Sequence, residues 1–125
     1  MRTISGYPPH SICEAAVWAG RDLGGIPLCV YTLSGETALY LAKLRYEAPI
    51  YAFSPDLQVV RMLSLAWNIE SHQLSFAQDI AQLHHDGERL LTTQKKVKSG
   101  NLIGIISGTK GVRGATNSFR IKKIE

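Results

Sequence analysis

Apolar residues recur at helical spacing through Ile12, Ala15, Ala16, Ala19 and Leu23, and Gly24 with Gly25 supplies a stop. A short unbroken apolar run, Pro27 to Tyr31, reads as a strand buried on both faces. The chain then passes Thr32-Leu33-Ser34-Gly35-Glu36-Thr37 and enters a second helix carrying Ala38, Leu41, Ala42 and Arg45. Ala48 to Phe53 repeats the buried-strand pattern. After it Ser54-Pro55-Asp56 predicts a helix start, with Ser54 as the capping hydroxyl and Pro55 at the first helical position. Val60, Leu63 and Trp67 line one side of this third helix. Ile69 to Leu74 alternates as a weaker strand, and Ser75 with Gln78 resembles a capping box before a longer helix. That helix carries Phe76, Ile80, Leu83, Leu90 and Leu91, with an interruption expected at Gly87. Leu102 to Ile106 is the fourth strand, and Phe119, Ile121 and Ile124 predict a fifth. Such alternation of strands and helices means an α/β domain with a largely parallel sheet.

Residues 1 to about 8, around Gly6 and the Pro8-Pro9 pair, show no apolar period and read as an extended arm, leaving 9–125 as one domain. Length agrees: 125 residues, 45% of them hydrophobic, enclose a single core. Cys13 and Cys29 lie in apolar segments without metal-ligand spacing and are expected reduced and buried, as in a cytoplasmic protein. No apolar run approaches the ~20 residues of a membrane span, and the first ten residues hold no signal-like apolar core. The expected location is therefore the cytoplasm, with no membrane partner. A formal charge of +4 favours anionic partners in a general way.

Few residues carry chemistry. His84-His85-Asp86 sits on a predicted helix, where adjacent side chains diverge by about 100° and cannot share a metal, so a solvated face is expected. No HExxH or CxxC occurs, Ser34 is not in a GxSxG elbow, and His10 and His72 stand alone. Trp18 and Trp67 fall at core-like positions. Hence no catalytic residue, metal ligand or cofactor is assigned. Anion binding fares better. Thr32, Ser34 and Thr37 offer hydroxyls, with unpaired backbone N–H groups expected around Gly35, where a strand hands over to a helix N-terminus. A second candidate is Ser107 to Asn117, SGTKGVRGATN, whose glycines bend freely while Lys110 and Arg113 supply charge. Neither is a P-loop. Two alternatives stand beside a ligand-binding domain: a small enzyme acting on a phosphorylated metabolite, whose only acid at the two loops is Glu36, and a nucleic-acid-binding module. The latter would use Lys95, Lys96 and Lys98 with Arg120, Lys122 and Lys123, clusters that lack interleaved aromatics.

Taken together, the strand followed by Thr32-Leu33-Ser34-Gly35-Glu36-Thr37-Ala38, then Arg61, Leu63, Leu65, Trp67 and Ile69, and the terminal SG…GATN, resemble the C-terminal domain of pyruvate kinases over about Ser11 to Ile124. The resemblance implies a three-layer α/β/α sandwich with a five-stranded mixed sheet in order 3-2-1-4-5, the last strand antiparallel. Ligands favour the crevice beyond the carboxyl ends of neighbouring strands whose connections diverge, and in that order strands one and four are such neighbours. In the family this is the pocket of phosphorylated effectors. Thr32, Leu33, Ser34, Gly35, Glu36 and Thr37 match the loop that wraps one phosphate, and Lys110, Gly111, Val112, Arg113 and Gly114 match the loop that closes over the sugar. Glu36 departs from the pattern, since members that bind fructose bisphosphate have Lys or Arg there. The family's kinase chemistry belongs to a TIM barrel that this sequence does not contain, so no kinase activity is expected of the chain alone, as an excised regulatory part or a free-standing relative. The resemblance also implies a homo-oligomer formed mainly through the first helix region and the last strand, or association with a pyruvate kinase catalytic domain.

Overall fold

A computed structural model describes residues 8–76, 79–108 and 116–125. Five strands, β1 (Leu28–Tyr31), β2 (Ile50–Ser54), β3 (Ile69–Gln73), β4 (Leu102–Gly108) and β5 (Thr116–Lys123), form one sheet in order β3-β2-β1-β4-β5. β1 runs parallel to β2 (Leu28 opposite Ile50) and to β4 (Leu28 opposite Gly104), whereas β4 and β5 are antiparallel. Every residue of β1 and β2 is buried, as their unbroken apolar runs predict.

Alternation along the strands builds two cores. Leu28, Val30, Ile50, Ala52 and Ile106 face α1 (Pro8–Asp22), α2 (Glu36–Lys43) and α3 (Leu57–Leu63), packing against Cys13, Ala16, Leu41 and Leu63. Cys29, Tyr31, Tyr51, Phe53, Ile103 and Ile105 face α4 (Ile80–Thr93), against Leu83 and Leu91. The layers are therefore three helices, sheet and one helix. Cys13 and Cys29 are both buried thiols, and burial pushes each pKa up to about 12, which keeps them protonated and unreactive.

Several local expectations change. Pro8 and Pro9 belong to the first turn of α1 rather than to an arm, because the amide that proline lacks is unpaired at a helix start anyway. Residues 1–7 lie outside the described residues. α3 is capped by Asp56, whose carboxylate accepts from the Gln58 N–H at 2.9 Å. Ser54 instead closes the turn ahead of it by accepting from the Asp56 N–H, and Pro55 precedes the cap. α4 starts at Asp79, which accepts from the Gln82 N–H at 2.8 Å, four residues beyond Ser75; Gln78 of the expected capping box is outside the described residues. A carboxylate caps as well as a hydroxyl and also meets the positive end of the helix dipole. α4 runs unbroken through Gly87, which allows close approach to Tyr31.

The tryptophans are not in the core. Trp18 is 71% exposed on α1, and Trp67 lies past the end of α3, 46% exposed, with the Arg45 guanidinium 4.9 Å from its ring centre. α3 ends too early to carry Trp67 on its buried side. The helical spacing from Val60 through Leu63 thus overran the element.

Candidate ligand site at the ends of β1 and β4

Parallel pairing of β1 with β4 brings their carboxyl ends together at the centre of the sheet. The segment leaving β1 is a turn built on its own hydroxyls. Thr32, 6% exposed, donates its N–H to the Phe53 carbonyl at 2.9 Å, and its Oγ1 accepts from the Gly35 N–H at 2.9 Å. Ser34 Oγ accepts from the Glu36 N–H at 3.3 Å. The unpaired amides expected around Gly35 are therefore occupied by side chains of the turn itself. Accepting an amide proton still leaves each hydroxyl its own proton to donate, so the donors left at the turn are O–H groups, of buried Thr32 and half-buried Ser34.

Gly35 caps α2 with φ near +90°, a conformation that L side chains rarely adopt. A Cβ there would also lie 2.8 Å from Met62 Cε and 3.2 Å from Val59 Cγ1, so this glycine admits α3 to the turn. Leu33 and Ser34 are half-buried, Thr37 is buried, and Glu36 is exposed in the first turn of α2, where the helix dipole favours a carboxylate. Next to β1, β4 and β5 pair up to Gly108 opposite Thr116, with an irregularity between Ser107 and Gly108. Lys110, Gly111, Val112, Arg113 and Gly114, which connect these strands, lie outside the described residues.

The structure adds a residue that sequence pattern had placed on a solvated face. His84 is buried, 7% exposed, while its neighbour His85 is exposed. Its Nε2 lies 3.0 Å from Ser107 Oγ on β4, its ring packs against Tyr31 at 4.8 Å between centres, and its carbonyl accepts from the Tyr31 hydroxyl at 3.5 Å. Arg120 Nη2 of β5 approaches Nδ1 at 3.5 Å. A guanidinium can only donate, so Nδ1 is the acceptor and the ring proton sits on Nε2, donating to Ser107. Burial, together with Arg120 and Lys122, lowers the His84 pKa from 6.5 to about 4 and keeps the ring neutral.

That arrangement is a poor nucleophile–base pair. The nitrogen facing Ser107 already holds its proton, and a cation stands where a carboxylate would stabilise the imidazolium. Among the described residues, no group of three His, Cys, Asp or Glu side chains is placed to hold a metal ion. Two of the lysines considered for nucleic acid are paired with carboxylates, Lys96 with Glu70 at 3.1 Å and Lys122 with Glu88 at 2.9 Å, which removes part of that basic surface. No described helix is long and apolar enough to cross a membrane.

Residues 10–122 match the family described as "Pyruvate kinase, alpha/beta domain". Over 105 residues, 84% of the chain, the sequence is 34% identical to "Pyruvate kinase isozyme A, chloroplastic" of Ricinus communis, covering 18% of that protein. It is 28% identical over 125 residues to a pyruvate kinase of Agrobacterium vitis, covering 97% of this chain and 25% of that one. To pyruvate kinase 2 of Synechocystis it is 24% identical over 118 residues, covering 94% and 20% respectively. The chain thus spans a quarter or less of the length of these relatives.

Proposed function

Because the chain belongs to the pyruvate kinase alpha/beta domain family, we propose that it is a non-catalytic regulatory domain that holds a phosphorylated small-molecule effector between the ends of β1 and β4. The observation that carries this reading is the convergence of the Thr32–Thr37 turn with the end of β4 at the strand pair where the connections diverge. Thr32, Leu33, Ser34, Gly35, Glu36 and Thr37 wrap one phosphate, with the Ser34 hydroxyl donating to it and the α2 N-terminus supplying partial positive charge. Lys110, Gly111, Arg113 and Gly114 close over the rest of the ligand and pair with its second anionic group.

Glu36 sets the choice of ligand. A carboxylate about 4 Å from a phosphate charge opposes binding by roughly 4 kcal/mol at an effective dielectric near 20, so a sugar bisphosphate is disfavoured relative to a less charged effector. Replacing Glu36 with lysine removes this repulsion and adds an attraction. Calorimetry with fructose 1,6-bisphosphate is expected to show at least about tenfold tighter binding by Glu36→Lys than by the wild type, which corresponds to 1.4 kcal/mol. Equal affinities would remove Glu36 as the determinant, and absence of binding in both proteins, with inorganic phosphate also failing to bind, would remove the site.

The same reading includes self-association, or association with a pyruvate kinase catalytic domain, through α1 and β5. Trp18 on α1, Leu102 on β4 and Ile121 on the edge strand β5 are apolar residues 71%, 37% and 43% exposed, and β5 leaves one sheet edge open. Sedimentation velocity is expected to show an oligomer that Trp18→Glu dissociates. A monomeric wild type would remove the self-association, and an oligomer unchanged by the substitution would remove Trp18 from its interface.

A further inference from the structure

His84 bridges the ends of β1 and β4 from the α4 side of the sheet. It touches Tyr31, which immediately precedes the Thr32–Thr37 turn, through both ring and carbonyl, and it touches Ser107, near the end of β4, through Nε2. We infer that His84 is a positioning residue that ties the ends of β1 and β4 together, and that its Nε2–H bond to Ser107 sets the affinity of the crevice for phosphate. This rests on the effector-site reading above and adds a positioning residue to it.

Three observations support the assignment. First, the contacts come from separate elements: α4 supplies the imidazole, β1 the aromatic wall, β4 the hydroxyl and β5 the guanidinium, so a shift of any one is felt by the others. Second, Arg120 fixes the tautomer, because its donor leaves Nδ1 as the acceptor and Nε2 as the nitrogen that holds Ser107. Third, the charges around the ring make the neutral form the working one. Arg120 and Lys122 face it from β5, Lys122 is held by Glu88 of α4 at 2.9 Å, Tyr31 faces it from β1, and Ser107 from β4. A second proton would put an N–H on Nδ1 against the guanidinium and break that contact. Protonation therefore loosens the β5 contact, while Nε2 keeps the proton it donates to Ser107.

The test uses 15N-histidine-labelled full chain titrated with inorganic phosphate and then with fructose 1,6-bisphosphate at neutral pH. Resonances of His84 are assigned by their loss in His84→Gln. The expected result is an Nε2-protonated His84 whose ring nitrogens shift as phosphate saturates, while His10, His72 and His85 stay fixed. Ser107→Ala is expected to bind phosphate about tenfold more weakly, the effect of one neutral hydrogen bond, and to abolish the His84 response. His84→Gln retains a donor near the Nε2 position and is expected to bind within about threefold of wild type, a difference under 1 kcal/mol, whereas His84→Leu loses about tenfold. Thermal melts of each variant separate this from unfolding. An Nδ1-protonated ring, a ring unmoved at phosphate saturation, or equal losses in His84→Gln and His84→Leu would overturn the tie while leaving the phosphate site standing. Failure of both ligands to bind the wild type would overturn the site and the tie together.

Discussion

Gly87→Ala is expected to lower the stability of this domain by up to about 2 kcal/mol, although glycine to alanine inside an exposed helix gains about 1 kcal/mol. The sign is reversed by Tyr31. A Cβ on Gly87 would overlap the tyrosine hydroxyl and lie 3.0 Å from Cζ and 3.2 Å from Cε2. Tyr31 has little room to move. It is 5% exposed, stacked on Phe53 at 4.9 Å between ring centres, packed against His84, and on a strand paired on both sides. Forcing atoms into such a packed site typically costs about 1 to 3 kcal/mol, more than the helix gains from alanine. Urea denaturation followed by circular dichroism measures the difference. Tyr31→Phe in the Gly87→Ala background removes the overlapping oxygen and is expected to recover part of the loss. A Gly87→Ala protein as stable as the wild type would mean that α4 and β1 do not approach this closely.

Acid destabilisation centred on His84 is the second large effect. Its pKa is about 4 in the fold against an ordinary 6.5. Between those values the unfolded chain takes up a proton that the folded chain refuses, so the stability associated with the neutral ring is complete above about pH 6.5, falls as pH drops, and is gone near pH 4. The shift corresponds to at most about 3 kcal/mol. His84→Gln cannot take up this proton and is expected to show a much flatter stability profile across the same window when both proteins are melted from pH 7 to pH 4. The carboxylates of Glu47, bonded to Arg21, and of Glu70, bonded to His72 and Lys96, are held below their usual range and add a loss at lower pH in both proteins. Parallel profiles would place the His84 titration at its ordinary value and remove the role of Arg120 in holding the ring neutral.

Much of the architecture was legible because continuous apolar runs and helical periods are properties of the chain itself. β1, β2 and β4 announce themselves by runs buried on both faces, and the spacing of strands and helices leaves a mostly parallel sheet as the economical arrangement. The strand order came from resemblance, since no local pattern states which strand lies beside β1. What pattern misjudged are residues whose neighbours come from distant sequence. Trp67 looks like a continuation of α3 until the helix is seen to end at Leu63, and Trp18 shares α1 with true core residues while pointing away from them. His84 looks solvated beside His85 and Asp86. Only the placement of β4 and β5 next to α4 buries it between Ser107 and Arg120. At the turn itself the hydroxyls of Thr32 and Ser34 were visible in sequence, but their engagement with the amides of Gly35 and Glu36 depends on loop geometry that residue identity does not fix.

The register of the central strand has a consequence for the order in which the molecule can assemble. β1 pairs with β2 soon after it in the chain, but its other edge waits for Gly104, Ile105 and Ile106 of β4, which follow β2, β3 and three helices. During synthesis the nascent chain therefore carries β1 with one row of backbone groups unmatched until β4 has left the ribosome. Such an edge, flanked by Leu28, Cys29, Val30 and Tyr31, is a template for pairing with another unfinished chain. The C-terminal hairpin thus decides more than a boundary of the sheet: until β4 docks, folding cannot be completed, and a chain stopped before Leu102 is exposed to aggregation.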